Sequence, residues 1–311
     1  MRKVSPPLLL RTILTSFCSI LFFISSPLLL AQKADTTQAN EINYKKRQAF
    51  LLSGYGVATT GSLIGLNELW YKNYPRSSFQ FINDNSEWLQ MDKVGHMMTS
   101  YQLGILGYES MKWSGMPENR ALWLGGSLGL IYLTGVELLD AHSAQWGFSP
   151  GDQIANVAGT SLFIVQQKFW KEQRISLKFS YSNSRYAMLN SAQLGRNFQQ
   201  RILKDYNGQT YWASFNAHSF LASGADFPKW MNVAIGYGAD GMTSANFDVN
   251  DVNNFQRTRE FYLSFDADLN KIRWPKKWMK ITAQILSFIK LPSPAIKMQS
   301  DGSVKLYALH F

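Results

Sequence analysis

The spacing of apolar residues changes once along this chain, near Arg174, and that change limits the architecture more than any other feature. Before it, apolar residues come in long runs suited to helices. After it they alternate with period two, which puts every other side chain on one face of a strand. The first part predicts helices over about 46–72, 92–113, 119–141 and 152–173, with start signals at Asn119 before Arg120 and at Asp152 after Pro150-Gly151. In the second part Ile175, Leu177, Phe179 and Tyr181 are separated by Ser176, Lys178 and Ser180. The same alternation recurs at Tyr211–Ala217, Met231–Tyr237, Phe261–Leu269 and Met279–Ile285. Asp301-Gly302 predicts a hairpin joining 295–299 to 303–311, and 191–206 reads as a short amphipathic helix. The expected class is α+β: an N-terminal four-helix bundle over 46–173, then an antiparallel β-rich half over 174–311.

Two forms of the strand half remain open. The aromatic end Tyr307, Leu309, Phe311 resembles the closing strand of a small outer-membrane-type β-barrel, for which eight strands is the usual minimum. An open antiparallel sheet would instead pack one face on the helices and wet the other. The helices contain Gly54, Gly56, Gly61 and Gly65, then Gly125, Gly126, Gly129 and Gly135. Each costs about 0.5–1 kcal/mol relative to Ala in a water-soluble helix, but lets packed backbones approach closely.

The N-terminus predicts export. Arg2 and Lys3 precede an apolar run from Thr12 to about Leu30, ending at Ala31-Gln32, which is the pattern of a signal peptide over 1–31. A retained anchor is the alternative, since the run approaches the ~20 residues that span a bilayer. Residues 32–45 read as a polar lead-in. Cys18 is preceded by bulky Phe17, where lipid-attachment sites take a small residue. As the only cysteine it excludes a disulfide scaffold, a Cys-based zinc site and a redox pair. The chain is 46% hydrophobic and 17% charged, which excludes extensive disorder. Its net charge of +10 suits anionic lipid as well as nucleic acid. Basic residues beside Trp274 and Trp278 (Lys276, Lys277, Lys280) fit a lipid headgroup interface in an exported protein, so the expected partners are membrane lipid or envelope proteins and not nucleic acid.

The candidate site comes from polar residues set into apolar helices. Asp92 and His96 are four apart, so a carboxylate can orient an imidazole, as a general base or a metal-ligating histidine requires. Lys93 lies between them. Glu137 follows sixteen uncharged residues, and a buried carboxylate must be paired, neutralised or coordinated. Asp140 is three residues further on. Asp152 and Asn156 share a helix face, and Gly159 permits tight helix contact. His96, Asp92 and Glu137 are the candidate catalytic groups; Lys93, Asp140, Asp152, Asn156 and Gly159 complete the polar cluster. His96, Glu137 and Asp152 are candidate ligands for a divalent metal, where one imidazole and carboxylates would admit Mn, Fe or Zn. The spacing matches no standard zinc motif.

This set, Asp92, Lys93, His96, Glu137, Asp140, Phe148, Ser149, Asp152, Asn156 and Gly159, resembles the YfiM-like family of uncharacterised predicted periplasmic lipoproteins. More distantly the motif order is similar to VanZ-like membrane proteins. The resemblance covers about 90–170 and implies an envelope address, at the outer membrane or its periplasmic face, with no established reaction. Two functions stay open. In one the polar groups lock helices in register and the protein is an envelope scaffold or assembly factor. In the other it is a metal-dependent or acid/base enzyme acting on an envelope lipid or glycan.

Overall fold

The computed structural model describes residues 39–71, 74–221, 226–246 and 255–310. The expected leader over 1–31, its cleavage, Cys18 and the terminal Phe311 lie outside the described residues. Two compact units are present. One comprises the residues up to Ile82 with Leu103–Gln153; the other comprises Asn83–Gln102 with Ile154 onward.

The first unit is helical. Helix α1, Ala39–Leu66, starts inside the expected polar lead-in and continues into a π-helical turn, Asn67–Tyr71. The second half of α2 (Met91–Trp113) belongs here, as does a run built of α3 (Glu118–Arg120), a π-helical turn (Ala121–Gly125) and α4 (Leu128–Asp140). Helix α5, Pro150–Phe169, begins here and continues in the other unit. Neither unit therefore contains the expected four-helix bundle. Small residues bring two helices together in this unit: a Cβ on Gly107 would lie 2.1 Å from the Gly125 carbonyl oxygen, so the helix backbones touch. Gly54, Gly56 and Gly61 meet nothing among the described residues. The stretches Tyr44–Leu66 and Glu118–Asp140 are long and apolar enough to cross a membrane. Phe50, Val57, Ile64 and Ile131 on them are exposed.

The second unit opens with a left-handed turn: Trp88, Leu89 and Gln90 have φ of 47°, 50° and 63°. Such residues cost about 1–2 kcal/mol each outside glycine. Tertiary bonds hold the turn: Tyr237 donates to the Leu89 carbonyl, Arg259 Nη2 donates to Gln90 Oε1 at 2.7 Å, and the Trp88 amide donates to the Ala245 carbonyl at 2.9 Å. The first half of α2 follows, then most of α5, then β1 (Ile175–Tyr181). Gln166 of α5 fastens β1, accepting from the Ile175 amide at 2.8 Å and donating to its carbonyl at 2.9 Å.

Three short helices, α6 (Tyr186–Leu189), α7 (Ser191–Leu194) and α8 (Phe198–Lys204), lead to β2 (Gln209–Asn216). The single helix expected over 191–206 is broken at Gly195, whose φ of 104° no L side chain adopts readily. After α9 (Ala217–Phe220) come β3 (Met231–Asp240), β4 (Thr258–Ala267), α10 (Lys277–Leu286), β5 (Ser293–Gln299) and β6 (Val304–His310). The strand expected at Met279–Ile285 is thus a helix. Its alternation is also a helical stripe, Trp278, Ile281 and Ile285, and Pro275 ahead of it favours a helix start over a ladder position. The Asp301-Gly302 hairpin is present, with Gly302 at φ 88°.

The six strands pair antiparallel in chain order, β1 to β6, as an open sheet and not a closed barrel. The free edge of β1 is covered by residues 288–290, through Phe179 N to Phe288 O at 2.8 Å and Lys290 N to Phe179 O at 2.9 Å. The two faces are inverted relative to a sheet in water. Buried positions carry Lys178, Ser214, Asn216, Asn232, Glu260 and Asp266. Lys178 and Asp266, 2% and 0% exposed, pair at 2.6 Å. The opposite positions of β3 and β4, Ile235, Phe261, Leu263 and Phe265, are exposed. An open sheet was expected to pack one face on the helices and wet the other; here the enclosed positions are the polar ones.

Gly107→Ala should be destabilising, because its methyl group meets rigid backbone and not a flexible side chain. A loss of about 1–3 kcal/mol in a denaturant melt is expected for such overpacking, with little effect for Gly56→Ala.

Candidate functional site

In the second unit, Asp92 and Lys93 lie in the first turn of α2, where acidic groups complement the helix dipole. Lys93 Nζ is 2.9 Å from Asp92 and 2.6 Å from Asp84, an acidic residue ahead of the left-handed turn. Burial raises the Asp92 carboxyl above its usual range, and the Lys93 ammonium only partly offsets this. Asp92 therefore pairs with Lys93, and the imidazole one turn on looks elsewhere: His96 Nδ1 is 3.1 Å from Asn156 Oδ1 on α5. With Asn156 Oδ1 as the acceptor, this hydrogen bond requires the proton on Nδ1.

The same two helices repeat the contact one turn further. Ser100 donates to the Asn156 carbonyl at 2.6 Å, and its oxygen lies 2.7 Å from Thr160 Oγ1. A close approach allows this: a Cβ on Gly159 would lie 2.0 Å from the Met97 carbonyl oxygen. The role expected of Gly159 is the one it has. Asn156 is fully buried, and its Nδ2 has no hydrogen-bond partner among the described residues.

In the first unit, Glu137 is 1% exposed at the end of α4. Its Oε2 accepts from the Ser149 amide at 2.9 Å. Ser149 Oγ accepts from the Asp152 amide at 3.1 Å, which makes Ser149, and not Asp152, the cap of α5, with Pro150 in the first helical position. In a common capping arrangement the acidic residue three beyond the cap returns to the cap's own amide. Here Glu137 takes that amide, so Asp152, which is buried, is not needed for the cap. The cap is positioned by an extended segment: Phe148 N donates to Gln80 O at 2.8 Å, and Ile82 N to Phe148 O at 3.0 Å. Asp140 accepts from Tyr71 at 2.7 Å, and burial followed by the Asp140 charge pushes the Tyr71 phenol up. Tyr71 also lines a cavity of about 560 Å³ with Arg76, Leu138 and His142, apart from the Glu137 cap.

Within their own units, then, the structure joins His96 to Asn156 and Lys93 to Asp92, and it brings Glu137 and Asp152 to one helix start. Asp140 has a separate partner. Ser100, Thr160 and Asp84 were missed by sequence reasoning. Ser100 lies four residues after His96 and Thr160 four after Asn156, so the helical step that found the first pair could have found the second. Asp84 sits in a loop and carried no such signal.

Residues 79–168 match a family model described as "Predicted periplasmic lipoprotein (DUF2279)", a family of unknown function. That stretch contains every one of the sequence-derived site residues, and the match agrees with an exported envelope protein. No curated protein and no solved structure matches the chain.

Ser149→Ala should cost about 1 kcal/mol in a denaturant melt through loss of the cap, and Ser149→Thr, which keeps the hydroxyl, should retain most of it. For Asp92 the folded state binds the proton more tightly than the unfolded chain. Its contribution to stability is full below about pH 3.8 and is lost as the pH rises through the raised folded value. Asp92→Asn should remove that downward step from a plot of stability against pH.

Proposed function

We propose that this is an exported protein of the outer membrane or its periplasmic face, in which the polar residues of the family-matched stretch hold helices in register for a scaffold or assembly role. One observation carries the reading: these groups are engaged in bonds that fix helices. Ser100 and His96 grip Asn156, while Glu137 and Ser149 close the start of α5. Buried polar contacts of this kind help to specify how helices pack. The finer likeness to YfiM-like and VanZ-like proteins rests on the residue pattern from Asp92 to Gly159. Membrane lipid or other envelope proteins are the partners this reading requires.

A second reading is favoured by the buried Asn156 Nδ2, a donor with no partner among the described residues, which could serve a bound water or substrate oxygen. In it His96, Glu137 and Asp152, the ligands expected from the sequence, serve a divalent Mn, Fe or Zn ion. The protein is then an acid/base or metal-dependent enzyme acting on an envelope lipid or glycan, with Asp92 and Lys93 as charged neighbours.

Metal analysis of the purified full chain, with His96→Ala, Glu137→Ala and Asn156→Ala, decides between them. The scaffold reading expects no stoichiometric metal, and a loss of about 1–3 kcal/mol for Asn156→Ala, whose removal leaves its partners unpaired. One equivalent of metal in the parent protein, absent from a folded His96→Ala variant, overturns it in favour of the enzyme.

A further inference from the structure

The β-rich sheet turns its charges inward and its large apolar side chains outward. On the inner side Lys178 pairs with Asp266, Lys297 pairs with Glu260 at 2.6 Å, and Ser214 donates to Asp266 at 2.6 Å. Desolvating such ions costs several kcal/mol each before pairing returns part of it. The outer side of β1 and β2 is covered by helix: a Cβ on Gly95 of α2 would lie 2.8 Å from the Tyr211 hydroxyl, and Gln102 donates to the Leu177 carbonyl at 2.6 Å. Beyond Tyr237, which packs beside Met91 and Leu89, that cover ends from β3 to β6 among the described residues. Ile235, Phe265 and Leu306 are 53%, 58% and 78% exposed, and the bare apolar surface crosses four strands without a polar break. In water this arrangement is unfavourable on both faces. Against hydrocarbon the outer face becomes favourable and the inward charges are where they must be.

A second observation says which apolar phase. The antiparallel order puts the start of β3 and the β4–β5 connection at one end of the sheet. Trp230 and Trp278 are exposed there. Residues 271–280 contain no acidic residue, and Arg273, Lys276, Lys277 and Lys280 are exposed. Tryptophan with lysine beside an apolar band is the chemistry of a membrane–water boundary, and the positive charge complements phosphate headgroups.

We propose that the outer face of β3–β6 contacts the hydrocarbon of an anionic lipid bilayer, with the 271–280 segment at headgroup level. The inference is independent of the helical polar cluster. To test it, the purified full chain carrying Cys18→Ser and Phe265→Cys is labelled with an environment-sensitive fluorophore. It is mixed with vesicles of phosphatidylcholine and phosphatidylglycerol, about 7:3. Blue-shifted emission quenched by brominated acyl chains is expected at position 265 and not at Asp301→Cys, on the hairpin tip. A triple variant, Lys276→Glu, Lys277→Glu and Lys280→Glu, should weaken binding to these vesicles at least tenfold and leave its circular dichroism unchanged. Water-like emission at position 265 in the presence of vesicles overturns the proposal. So does shielding of that position without lipid by a second copy or by another segment of the chain, detected by cross-linking.

Discussion

The buried ion pair between Lys178 and Asp266 constrains the second unit more than any other contact. Lys178 stands on β1 and Asp266 on β4, three strands away in the sheet, yet their charged atoms are 2.6 Å apart. A flat sheet would separate them by about 14 Å. The pair therefore requires strong curvature, with the side chains of Trp212, Asn232 and Tyr262 enclosed on the concave side. Curvature in turn commits the alternate residues to the convex side. Because the side-chain period is two, no single strand can reverse its faces without a register slip that would strand a charge. The outward position of Phe261, Leu263 and Phe265 follows from the inward position of Glu260, Tyr262, Ser264 and Asp266.

The helices obey a different constraint. Where backbones touch, at Gly107 against Gly125 and at Gly159 against Met97, no side chain separates them. Short polar side chains then reach the neighbouring helix, which is why Ser100 meets Asn156 and Thr160. Glycine sets the distance, and the hydroxyl and amide groups choose the register. His96 extends that row by one turn, so its orientation is inherited from the packing and not from Asp92.

Much of this was legible in the sequence, for identifiable reasons. Strand β1 was readable to the residue because its alternation is unbroken from Ile175 to Tyr181. The β5–β6 hairpin was readable because Asp301-Gly302 has few other uses. Residues 277–286 misled because a ten-residue stretch can satisfy both periods, and Pro275 was the deciding mark. The cap of α5 was placed at Asp152 instead of Ser149 because Pro150 was taken as part of a turn and not as a first helical residue. Which face of the sheet lies inside was not legible at all: period two separates two faces but does not say which one is enclosed. That depends on partners distant in the chain, such as Lys178 with Asp266.

The same reasoning extends to the apolar side chains of the sheet. In the sheet the apolar residues are divided among strands, none of which forms a span by itself. They become a continuous surface only after curvature has brought the strands together. The charges that would oppose entry into lipid are hidden by that same step. Folding and the creation of an apolar outer surface are thus one event in this unit, set by the inward pairing of its charges.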